Sequence, residues 1–170
     1  MRRVTKCLAA GAALVSTVLL GAGTAVAAPR WQPVSGPFHS CGQSVAHSVP
    51  GVRFQGCLVV SSLGKAQVVL VANNFSGKPV QFAATILSNF TDDDWPDESN
   101  VSNCWEETVP NATQRACYAP SEWVKDCYSY PGDALNGGPW GGEVRLTANG
   151  VTDDTYSSRV CLKHDNDPFD

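Results

Sequence analysis

The chain has too little positive charge and too little helical patterning for several large classes of protein. It carries 12 Lys and Arg against 16 Asp and Glu, a formal charge of −4, and no basic residue between Val80 and Gln114. A phosphate backbone is held by clustered Lys and Arg, so nucleic acid is excluded as a partner. Sustained heptads are missing and the 15 glycines follow no period, which removes coiled coil and collagen. No Cys-x-x-Cys pair occurs, and His39, His47 and His164 stand at no ligand spacing from the cysteines, so the usual zinc sites are absent too. There is no Gly-x-Ser-x-Gly elbow, and no motif calls for a cofactor.

What is present begins with a leader. Arg2, Arg3 and Lys6 open the chain, small and aliphatic residues run from Leu8 to Val26, and Ala25-Val26-Ala27 precedes Ala28-Pro29. That order is a secretory signal peptide over residues 1–27, cut after Ala27. The run is rich in Ala and Gly rather than Leu, which argues against a membrane anchor. No later stretch approaches the roughly 18 apolar residues that a spanning helix needs. The expected product is secreted and extracellular, with no membrane span after cleavage. It keeps nine basic residues against 16 acids, a formal −7.

Six of the seven cysteines follow the leader: Cys41, Cys57, Cys104, Cys117, Cys127 and Cys161. An even count in an exported chain predicts three disulfides. Local spacing pairs Cys41 with Cys57 and Cys104 with Cys117, each closing a loop of about 15 residues, worth roughly 3 kcal/mol in the chain-entropy model. Cys127 and Cys161 are left to pair with each other.

Residues 28–51, rich in Pro, Ser and Gly, predict an extended arm, and residues 52–170 a single domain. Alternating runs predict strands at 52–61, 65–73, 80–86, 112–119, 144–148 and 158–163, joined by an acidic loop at 91–103, a Gly/Pro-rich stretch at 120–142 and a connection at 149–156. In the second of these Val69 and Val71 make the outer face apolar as well. The architecture this implies is all-β, an antiparallel β-sandwich stapled by about three disulfides, because two one-sided sheets bury their apolar faces against each other. Gly56-Cys57 with its aliphatic strand, Val69 to Asn74 followed by Ser76 to Val80, Thr113 to Tyr118, Val144 to Gly150 and Ser157 to Val160 together resemble small secreted β-sandwich proteins of actinobacteria. The resemblance implies an extracellular location and an immunoglobulin-like topology, and carries no established activity.

Four features bear on function. The acidic loop offers Asp92, Asp94 and Asp97, with Ser99, as oxygen ligands for calcium, or as a solvated face that keeps the chain soluble. Trp95 in that loop and Trp140 among four glycines offer flat faces to a ligand; the competing reading folds Trp140 back to cap an open end of the sandwich. Trp31, Trp105 and Trp123 are expected to pack. The favoured function is a non-catalytic binding module for an extracellular protein or glycan, with contacts on loops 91–103 and 133–142. One alternative is a small hydrolase using His39 or His47 with an acid from the loop. Another is a protease inhibitor, with the segment from Cys117 to Cys127 presented. The sequons at Asn74, Asn89, Asn100 and Asn111 are read as chance.

Overall fold

A computed structural model describes residues 30–62, 64–90, 100–124 and 140–161. Among them there is no α-helix. Ten strands run β1 (Ser40–Cys41), β2 (Val45–Ala46), β3 (Val52–Val60), β4 (Lys65–Asn74), β5 (Val80–Ser88), β6 (Val101–Val109), β7 (Thr113–Tyr118), β8 (Glu122–Trp123), β9 (Gly142–Ala148) and β10 (Val151–Tyr156). They form two antiparallel sheets. The first has the order β1-β3-β4-β7, with β2 also on β3 and β8 also on β4; the second is β10-β9-β5-β6. The chain changes sheet after β4, β6 and β8, so β5 and β9 of the second sheet lie against β3 and β4 of the first.

Period-2 alternation explains the shared core. Phe54 and Leu58 of β3 and Val68, Leu70 and Ala72 of β4 meet Val80, Phe82 and Ile86 of β5 and Val144, Leu146 and Ala148 of β9, all buried. Each large side chain removed from water in this way contributes about 1.5–3 kcal/mol. The second apolar face of β4 has its own cover. Val69 and Val71, with Cys57 and Ala116, are packed under Val34, Phe38, Val59 and Tyr118.

Two residues of that cover, Val34 and Phe38, come from the segment before β1, whose described residues from Arg30 onward lie along the first sheet. Gln32 bridges Ala116 on the β7 edge, Val34 and Phe38 cross the outer face of the first sheet, and β1 and β2 then pair with the far edge of β3. Its beginning and end reach the second sheet as well. The indole of Trp31 donates to the carbonyl of Phe82 at 3.2 Å, and His47 bonds the carbonyl of Leu146. Two disulfides fasten this arrangement, Cys41 to Cys57 within the first sheet and Cys104 to Cys117 between the sheets. Both are the pairs that spacing predicts. Cys161 is exposed and unbonded among the described residues, and Cys127 lies outside them.

The strand expectations need three corrections, the smallest being β8, a two-residue strand inside the stretch expected as a loop. Of the strand expected at 158–163, the described residues form only an isolated bridge at Val160, and a strand stands at 151–156, where a connection was expected, because Asn149-Gly150 makes a tight turn between β9 and β10. Both turn residues have positive φ, 47° and 81°, the conformation that two-residue hairpin loops require and that Asn and Gly accept most readily. The last correction is β6, no part of which had a predicted strand, its first residues being expected in the acidic loop. No helix among the described residues is long and apolar enough to cross a membrane.

Candidate functional site

Strand β6 is an edge of the second sheet, and its buried positions explain why it escapes detection. Only Cys104 and Val109 turn fully inward. They are five residues apart, which in a regular strand puts them on opposite faces. An irregularity resolves the conflict: Phe82 is opposite Glu107 while Ala84 is opposite Cys104, so Trp105 and Glu106 together face Ala83. An extra residue of this kind re-aims side chains and interrupts an open edge. Here it leaves both Trp105 and Glu106 exposed, the indole by 69 %.

The neighbourhood of this bulge is tied to β7 at two points. Cys104, directly before it, is bonded to buried Cys117 of β7. Glu107, directly after it, lies 3.5 Å from the Arg115 guanidinium of β7. Across from it the arm supplies Trp31, whose ring is tilted on Phe82 at 5.7 Å. Between arm and strand runs an open groove of about 370 Å³ lined by Arg30, Trp31, Trp105, Glu106 and Glu107. Its composition is one exposed aromatic plane, one largely buried indole, two carboxylates and a guanidinium. Such a surface can stack on a flat partner while accepting and donating hydrogen bonds around it.

Trp140, expected as a candidate contact residue, is 1 % exposed and belongs to the core. Its amide donates to the Val160 carbonyl at 2.8 Å and its carbonyl accepts from the Val160 amide at 3.0 Å. The next residue, Gly141, donates to Asn89 Oδ1 at 2.8 Å. The glycines around Trp140 allow close approach of the backbone. A Cβ on Gly142 would fall 2.6 Å from the Leu87 carbonyl oxygen and 2.8 Å from a Val68 methyl. At 1 % exposure the indole leaves no face for a ligand.

Of the three tryptophans expected to pack, only Trp31 does. Trp105 is exposed, and so is Trp123, at 63 %, with the Lys65 ammonium 5.0 Å from its ring centre. The usable signal was the parity of Cys104 and Val109, which requires a bulge once both are placed inside.

The histidines separate clearly. His39 is exposed on the arm, its amide bonded to the Leu58 carbonyl. His47 is buried, with Nε2 3.1 Å from the Leu146 carbonyl, to which it donates, and Nδ1 accepting from the Val49 amide at 2.9 Å. Ser48 bonds Asp153: the hydroxyl donates to Oδ1 at 3.0 Å and the amide to the other carboxylate oxygen, which lies 3.5 Å from His47 Nδ1. The Asp153 carboxyl is held below the ordinary aspartate value, first by the Ser48 amide and then by its hydroxyl and His47, against the opposing effect of desolvation. A His–Asp–Ser set is thus assembled with its bonds in a structural order. The imidazole has no nitrogen available to take a proton from a serine, as nucleophilic catalysis requires.

Trp95, Asp92, Asp94 and Asp97, and most of loops 91–103 and 133–142, lie outside the described residues; of those loops, Val101 opens β6 and Gly142 opens β9. Asn74 and Asn89 of the sequons are buried and hydrogen bonded, Asn74 to the carbonyls of Lys78 and Val109. No group of three or more metal-ligating side chains stands together among the described residues. Comparison with models of known protein families and with curated proteins finds no match.

Proposed function

We propose that the chain is a secreted, non-catalytic binding module of the immunoglobulin-like sandwich type, and that its described contact surface is the bulge of β6 with the groove beside it. The observation that carries this reading is Trp105, 69 % exposed on a strand held by a disulfide on one side of it and an ion pair on the other. Exposing a large indole forgoes about 1.5–3 kcal/mol of burial, and a rigid aromatic anchor on a fixed scaffold is what recognition surfaces use. Secretion is supported by the leader and is compatible with the two disulfides. The loops expected to add contacts leave the second sheet beside one another, since Ser88 and Gly142 are register partners.

A hydrolase has less support, because the buried histidine is committed to backbone groups on both nitrogens. The test compares wild type with Trp105→Ala in capture experiments on cell-wall material and culture-filtrate proteins. Capture that depends on Trp105, with unchanged stability, is the expected result. Equal capture by both proteins removes the proposed surface.

A further inference from the structure

The groove between the arm and β6 has a charge pattern that narrows the class of its ligand. We infer that it takes a neutral polyhydroxylated ring, a sugar unit of an extracellular glycan; this rests on the binding-module reading above and makes it specific.

Three ligand classes can be weighed against the lining. An apolar side chain would cover Glu106, Glu107 and Arg30 without giving them hydrogen bonds, which burial of charged groups does not tolerate. A cation would gain from the two carboxylates, but Glu107 already faces Arg115 at 3.5 Å, and Arg30 lines the same groove. An anion meets the reverse problem. With Glu107 answered by Arg115 from outside the lining, Glu106 and Arg30 are left to balance each other, so the groove selects neither sign of charge. What remains is dense hydrogen-bonding capacity around an aromatic plane. Ring hydroxyls can donate to Glu106 and Glu107 and accept from Arg30, since a carboxylate only accepts and a guanidinium only donates. The C–H face of the same ring packs on the indole of Trp105, whose exposed plane carries no partner of this kind among the described residues.

The fold supplies the rigidity this requires. In a regular strand Trp105 and Glu106 would point to opposite faces; the bulge opposite Ala83 leaves both exposed at the groove. About 370 Å³ is at the small end of ligand pockets, suited to one unit of a longer chain running along an open surface.

The experiment is a glycan array of neutral hexose and N-acetylhexosamine oligomers, probed with wild type, Trp105→Ala, Glu106→Gln and Trp123→Ala. Hits are followed by calorimetry at low and high salt, with tetralysine as a second probe. Binding that falls roughly tenfold or more in Trp105→Ala, falls in Glu106→Gln, persists in Trp123→Ala and changes little with salt is the expected result. Two outcomes overturn the inference: no neutral glycan bound, or glycan binding indifferent to Trp105. Tetralysine binding that needs Trp105 and collapses with salt replaces the sugar with a cation and leaves the binding surface standing. If neither probe binds, the sugar is again excluded, and the Trp105-dependent capture described above decides whether the surface itself survives.

Discussion

Trp140 and Trp105 exchange the roles that their neighbours suggest. Trp140 lies in Gly137-Gly138-Pro139-Trp140-Gly141-Gly142, where few side chains are at hand to cover it, yet among the described residues it is the largest fully buried side chain. Trp105 is flanked by a buried cysteine and a glutamate and stands in solvent. Local composition misleads in both cases because burial is decided by partners distant in sequence. At Trp140 small neighbours let two other segments close in, Asn89 and the stretch from Ser157 to Val160. At Trp105 a one-residue insertion against β5 redirects the side chain.

The contrast can be broken by mutation, beginning with the largest effect. Trp140→Ala should cost roughly 3–5 kcal/mol of folding stability, whereas Trp105→Ala should stay within about 0.5 kcal/mol; denaturant unfolding of the pair measures both. Replacing Cys104 and Cys117 together by Ala should cost about 3 kcal/mol, the order expected for freeing a loop of this length. It should also weaken ligand binding by loosening β6. Asn89→Ala removes the acceptor for the Gly141 amide, leaving a buried donor unpaired at a cost of about 1–3 kcal/mol. In protein labelled with 5-fluorotryptophan, that change should broaden the Trp140 fluorine resonance and leave that of Trp105 unchanged.

The smallest effect is one of pH at the arm. Asp153 is held below its ordinary value of 3.8, so its contribution is complete above that value and is lost as pH falls through the lowered one. Wild type should therefore exceed Asp153→Asn in thermal stability at neutral pH, with the gap closing under acid conditions. A constant gap across the range would assign the difference to packing.

Much of the fold was legible in the residues. Val52, Phe54 and Leu58, then Val68 and Leu70, then Val80, Phe82 and Ile86 alternate cleanly and form the core as read. The two local disulfides followed from spacing. The doubly apolar strand at Val69 and Val71 signalled a third layer that the arm supplies, although the sequence does not say that the arm is the cover. Asn149-Gly150 carried a hairpin signal that the polar run Thr152-Asp153-Asp154-Thr155 obscured, because that edge strand is largely in water and shows little hydrophobic alternation. The candidate site was the least legible part. A bulge shifts the inward residues of β6 out of period, so the strand and the exposure of Trp105 were hidden by the same feature.

The central claim is that the accessible recognition indole is Trp105 and that Trp140 is structural. It is tested most directly by fluorine NMR on protein labelled with 5-fluorotryptophan, with resonances assigned by single Trp→Phe variants and a soluble paramagnetic agent added. The account predicts strong relaxation enhancement at Trp105 and none at Trp140. A Trp140 resonance relaxed as strongly as that of Trp105, or a Trp105 resonance protected from the agent, would contradict it.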